Sequence, residues 1–208
     1  MSTLTARIIV ASLTFLLGIG AATLWFVSRN REPRLIVPNA AWEPFLFKTI
    51  DERTAESGLP RLRTIRLTDD DFELRIWVGF GQNGEDGLVL RRSAGQWSAL
   101  HLHGMFETYP PSKYQQALST PKSGWETMWR KLTDAKILSL SDASTVAGCD
   151  TFINDGTSYV VEFSAREAYR TYRYANPIYA KCDEAKQVIN IGQIITEEFG
   201  LGEFSVME

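Results

Sequence analysis

His101 and His103 are the two histidines of the chain, and they sit two residues apart in a run that alternates with Leu100 and Leu102. On an extended strand, period two puts both imidazoles on one face, where they could share a metal ion. The same alternation also describes the solvated face of an amphipathic strand, and that reading is favoured here: no metal is expected at His101 or His103. A third ligand would have to come from a distant carboxylate, which spacing does not place.

Other acidic and glycine-containing stretches give less. Asp69-Asp70-Asp71 and Asn83-Gly84-Glu85-Asp86-Gly87 resemble pieces of calcium loops, but neither has the twelve-residue spacing with its terminal bidentate Glu. Gly79-Phe80-Gly81 lacks the third glycine and the following helix of a nucleotide loop. There is no Gly-x-Ser-x-Gly, His-Glu-x-x-His or P-loop sequence. No cofactor is expected.

The richest chemical mixture lies between Cys149 and Cys182. Ser158–Phe163 and Tyr169–Tyr174 are crowded with β-branched and aromatic residues and are separated by Ala165-Arg166-Glu167, which predicts a β-hairpin. A three-residue break puts Glu162 opposite Arg170, Val160 opposite Tyr172 and Ser158 opposite Tyr174. One face would then carry Glu162, Arg170, Tyr172 and Tyr174, a set suited to planar or anionic groups. A plain cross-strand ion pair flanked by aromatics explains the same residues and is the favoured reading.

The cysteines are placed almost symmetrically about that break. Folding the hairpin brings Cys149 and Cys182 together, and a disulfide is expected, contributing roughly 3–4 kcal/mol in the chain-entropy model. Such a bond persists outside the reducing cytosol.

The order Asp155-Gly156-x-x-Tyr159-x-x-Glu162, then Tyr169-Arg170-x-Tyr172-x-Tyr174-x-Asn176-Pro177, is followed by an amphipathic helix. Over about 125–199 it resembles a module of uncharacterised bacterial envelope or exported proteins. The resemblance implies a bacterial source and an envelope location. It brings no catalytic role.

The elements that must position these residues follow from pattern. Ile8–Val27 is uncharged, about the 20 residues needed to cross a bilayer, with Arg7 before it and Arg29, Arg31 and Arg34 after it. Gly20 and Ala22 could precede a signal cleavage, but Leu24-Trp25-Phe26-Val27 prolongs the apolar run, so a retained signal anchor is favoured. The arginines after the segment argue for a cytoplasmic domain by the positive-inside rule. The cysteine symmetry argues for export, and we follow the cysteines. Residues 1–28 are thus read as a transmembrane helix, 29–44 as a proline-punctuated linker and 45–208 as one domain.

Within that domain, Asp51–Pro60 holds at most a short helical turn. Leu62–Leu67, Phe72–Phe80, Leu88–Arg92 and Trp97–His103 predict a four-strand antiparallel meander, with Phe72, Leu74, Ile76, Val78 and Phe80 on its buried face. Pro110 and Pro111 end it. A helix starts at Ser123, in capping-box spacing with Glu126, with Trp125, Met128, Trp129 and Leu132 on one face. A last helix is capped by Asp183, carries Val188, Ile191, Ile195 and Phe199, and ends at Gly200. The expected fold class is α+β: a transmembrane helix, a meander, then helix–β-hairpin–helix packed on the sheet.

A net charge of −3 gives no electrostatic reason for nucleic acid. With 6 Trp, 7 Tyr and 11 Phe the domain can fill a core unaided. The chain is therefore read as an anchored envelope protein of unknown function. Its exported domain would bind a partner, the membrane contact being Ile8–Val27. The alternative is a hydrolase or metal-dependent enzyme using His101 and His103.

Overall fold

Strand β2, Phe72–Val78, is covered on both sides, and the rest of the fold follows from that. In the computed structural model, which describes residues 34–36, 43–68, 70–79, 86–105, 112–149, 151, 156–166 and 168–204, β2 lies inside a seven-stranded sheet of order β1-β7-β6-β2-β3-β4-β5. The strands are β1 (Arg34–Ile36), β2, β3 (Asp86–Ser93), β4 (Gln96–Met105), β5 (Ser112–Ala117), β6 (Ser158–Ala165) and β7 (Ala168–Ala175). All pairings are antiparallel except β1 with β7.

Among the described residues, three helices complete an α+β fold: α1 (Glu43–Glu56), α2 (Trp125–Asp134) and α3 (Asp183–Phe199). Leu74, Ile76, Leu88, Leu90 and Val161 on one sheet face pack with Met128 and Leu132 of α2 and with Val188, Ile191 and Ile195 of α3. On the other face Trp77, Val89, Leu102 and Val160 pack with Leu46 and Ile50 of α1. The alternation Phe72–Val78 therefore does not mean half-burial: Glu73 and Arg75 are as buried as Leu74 and Ile76.

Several expectations are corrected. The hairpin does not lie on the sheet but belongs to it, because β6 pairs with β2 along the whole strand. Leu62–Thr64 is a 3-10 turn whose buried Leu62 plugs the core, so the meander starts one strand later and gains β5 as its fourth strand. Helix α1 replaces the short turn. It begins inside the stretch 29–44 read as linker, since Pro44 sits in its first turn, where no N–H is needed. Strand β1 falls in the same stretch.

The helix ends are mixed. Gly200 ends α3 as expected, left-handed, with its N–H on the Thr196 carbonyl at 2.8 Å. Cys182, not Asp183, is the cap residue of α3, and Asp183 instead accepts from Lys186 Nζ at 2.7 Å. Ser123 does not form a capping box. Gly124 is the cap residue of α2, and the Ser123 N–H and hydroxyl donate to Glu198 on α3 at 2.8 and 2.7 Å, joining the two helices.

The Cys149–Cys182 disulfide is present, with Cα atoms 5.2 Å apart and both residues buried. It ties the start of α3 to the segment that enters the hairpin. Ile8–Val27 lies outside the described residues, and among those described no helix is long and apolar enough to cross a membrane.

Candidate functional site

Among the described residues, the turn between β3 and β4 assembles the one cluster of metal-binding side chains that remains once the disulfide is set aside. Ala94 and Gly95 are both left-handed, with φ of 48° and 75°. This is the two-residue hairpin geometry that matches strand twist. It sets Ser93 opposite Gln96, and the ladder then puts Leu88 opposite His101 and Asp86 opposite His103. β3 begins at Asp86, two residues before the expected Leu88. Asp86 thereby joins the face that carries both imidazoles.

His103 Nδ1 contacts Asp86 Oδ1. His101 Nε2 lies 3.2 Å from the same oxygen but makes no hydrogen bond. The two rings are 5.7 Å apart. Donor atoms of Asp86, His101 and His103 all lie within 4.8 Å of one another. Asp86 and His101 are each 6% exposed, while the His103 side chain is 27% exposed.

The solvated-face expectation thus fails for His101. Phe204 stands edge-on to its ring at 6.2 Å. That phenylalanine is fully buried and fixed from behind, because its carbonyl accepts the Tyr159 hydroxyl at 3.1 Å. A Cβ at Gly192 of α3 would collide with this carbonyl, so glycine is what permits the close approach. Chemically the cluster offers two imidazole nitrogens and one carboxylate oxygen, a set that can hold a transition metal or relay a proton.

The other candidate residues are not brought together. The hairpin ladder closes with Ala165 opposite Ala168. Arg166 adopts the left-handed conformation with φ 54°. The register is therefore one residue from the expected one, and such a slip moves every side chain of one strand to the opposite face. Glu162 pairs with Thr171, while Arg170, Tyr172 and Tyr174 pair with Phe163, Val161 and Tyr159 on the far side.

Tyr172 and Tyr174 are buried, and their hydroxyls donate to the Ile137 and Ser141 carbonyls at 2.9 and 2.7 Å. The Arg170 guanidinium reaches the Leu140 carbonyl. These three side chains peg the loop 137–141 to the sheet. They do not form an open surface with Glu162.

Glu162 belongs to a buried network under α1. Trp77 Nε1 and the Tyr169 hydroxyl donate to its two oxygens, each at 2.8 Å. Arg75 stands opposite it on β2 and donates to Glu73, to the Pro60 carbonyl and to Thr54. Arg91 closes the second oxygen of Glu73 at 2.7 Å. Burial raises the Glu162 carboxyl above its ordinary range against the opposing pull of Arg75, Trp77 and Tyr169.

The acidic turns divide. Asp71 accepts from Ser93 Oγ and the Ala94 N–H at 3.0 and 2.8 Å, bracing the turn that sets the β3–β4 register. Asp69 and 80–85 lie outside the described residues. A polar groove of about 360 Å³ also opens between Ser139–Ser141 and the first turns of α3, beside the disulfide. Both cysteines are bonded, so it offers no thiol.

Asp86 is the functional candidate that spacing missed. Its phase with Leu88 and Leu90 is the usable signal, since a strand beginning at Asp86 carries all three on one face. The motif of the hairpin also acquires a reason: Asn176 is left-handed, and its side chain packs where a Cβ on Gly156 would be. Compared with known proteins, the chain matches no family model and no curated relative significantly, so the site rests on its own chemistry.

Proposed function

We propose that this chain is a single-pass membrane-anchored envelope protein whose α+β domain lies on the oxidising side and acts by binding a partner. The observation that carries the reading is the buried Cys149–Cys182 bridge. It spans a sequence separation of 33 and joins the hairpin entry to the start of α3. A bond of this kind is kept only where thiols are not continuously reduced. The uncharged run Ile8–Val27 supplies the anchor that brings the domain there. The resemblance of the hairpin motif to bacterial envelope modules agrees with that location.

Binding is favoured over catalysis because the groups that could react are largely used by the fold. Both cysteines are bridged, and Tyr172, Tyr174 and Arg170 hold the 137–141 loop. A second reading, a hydrolase or metal-dependent enzyme using His101 and His103, is favoured by one observation: Asp86 joins the two histidines.

The test is protease protection in cells together with a non-reducing peptide map of the full chain. An exported domain is digested when the outer face of the membrane is exposed, and its peptides around Cys149 and Cys182 stay linked. Digestion only after lysis, with free thiols at both positions, would refute the reading. An amino terminus near Thr23 in the mature protein would remove the anchor and leave a released domain.

A further inference from the structure

We infer that Asp86, His101 and His103 form a binding site for a divalent transition metal, with zinc the best-fitting ion. This goes beyond the envelope reading and does not depend on compartment. The ligands come from two adjacent strands whose register is fixed by the Ala94-Gly95 turn and its Asp71 brace. Backbone pairing therefore sets the three donor-bearing residues side by side, and burial restricts the side chains of Asp86 and His101, as a preorganised site requires.

The geometry favours an ion over a purely structural cluster. A carboxylate can accept from two imidazoles, one on each oxygen. Here both rings converge on Asp86 Oδ1, and the Nε2 of buried His101 is left without a hydrogen bond. Donors bound at 2.0–2.1 Å around a tetrahedral ion lie about 3.3 Å apart. His101 Nε2 and Asp86 Oδ1 are 3.2 Å apart, so a small outward shift of the other donors admits the ion.

The donor types select the metal. Two imidazole nitrogens and one carboxylate suit zinc, nickel or copper, whereas calcium and magnesium demand oxygen ligands. The partly exposed His103 gives the ion an entry route, and Phe204 seals the inner side. Three protein ligands leave a fourth position for water or for a side chain of a partner.

The experiment is calorimetric titration of zinc into metal-stripped full-length protein in detergent. One equivalent should bind, and H101A, H103A and D86N should each weaken it by at least about 10-fold. E162Q, on the other sheet face, should leave it unchanged. Absence of uptake by the unsubstituted protein would overturn the site, as would uptake that survives in the H101A/H103A double variant. Should the variants fail to fold, X-ray absorption of the zinc-loaded unsubstituted protein decides. Outer-shell scattering from two imidazoles is expected, and one or none contradicts the assignment. Protease-protection results bear on the envelope reading alone, so the two can fail separately.

Discussion

Two buried polar clusters lie on opposite faces of one sheet, and their partners differ in kind. Under α1, each Glu73 oxygen meets a guanidinium and each Glu162 oxygen accepts a neutral donor, from Trp77 or Tyr169. Arg75, with no exposed surface, spreads its donors over Glu73, Thr54 and Pro60. On the α2–α3 face, Asp86, His101 and His103 crowd one oxygen and leave a nitrogen without a hydrogen bond. A closed network fixes a fold, because each group is needed by another. An unfinished one is where a ligand can be added. Burial and charge do not separate the two clusters, and Ser164 Oγ beside Glu73 is also without a hydrogen bond. What differs is that both oxygens of Glu73 and of Glu162 have separate donors, while two imidazoles converge on one oxygen of Asp86.

The largest way to break that contrast is to remove Arg75. R75A leaves Glu73 and Glu162 buried with less cationic compensation, and should lower unfolding free energy by about 3–5 kcal/mol in urea titrations. A loss below about 1 kcal/mol would mean that the network is no part of what holds the fold. The hairpin tyrosines come next. Y172F and Y174F each leave a loop carbonyl without its donor and should cost about 1–2 kcal/mol. If either is neutral while weakening a partner's binding, the exposed-face reading of the hairpin returns.

The smallest effect is in the pH dependence, and its sign is informative. Burial raises the folded pKa of Glu162, so its contribution relative to Gln is fully present below the unfolded pKa and fades as pH rises through the folded one. E162Q should therefore gain on the unsubstituted protein from acid toward neutral pH. Glu198 behaves oppositely. Burial raises its pKa, but the Lys131 ammonium and the Ser123 N–H and hydroxyl outweigh burial and lower it. Its link between α2 and α3 is present above the unfolded pKa and is lost as pH falls through the folded one, so E198Q should be most harmful near neutral pH. Paired urea curves across acid to neutral pH check both signs, and matching slopes for the two variants would refute the assignment.

Local signals in the sequence were readable where one residue type carries one meaning. Gly200 ends α3, the apolar stripes of α2 and α3 are buried, and the cysteine symmetry gives the disulfide. Register was not readable, because the β6–β7 turn is made by Arg166 in a left-handed conformation without glycine or asparagine to mark it. That one-residue difference dissolved the proposed Glu162–Arg170–Tyr172–Tyr174 face. Strand β5 was missed since its Ser112–Ala117 run is a polar edge that pairs through backbone and shows no alternation. Helix α1 buries Leu46, Ile50 and Thr54 in a stripe whose last member is polar. Asp86 was hidden by its loop-like neighbours, although the pairing of Ser93 with Gln96, run backward, leads to His103.

The contrast between a closed and an open cluster is tested most directly by thermal melts of three full-length proteins with and without zinc: unsubstituted, E162Q, and H101A/H103A. With zinc about 100-fold above its Kd, the first two should melt roughly 5–10 °C higher, since ligand bound to the folded state adds about 2.7 kcal/mol. The histidine double variant should show no rise. Equal melting temperatures with and without zinc in the unsubstituted protein, or a rise that persists without the two histidines, would contradict it.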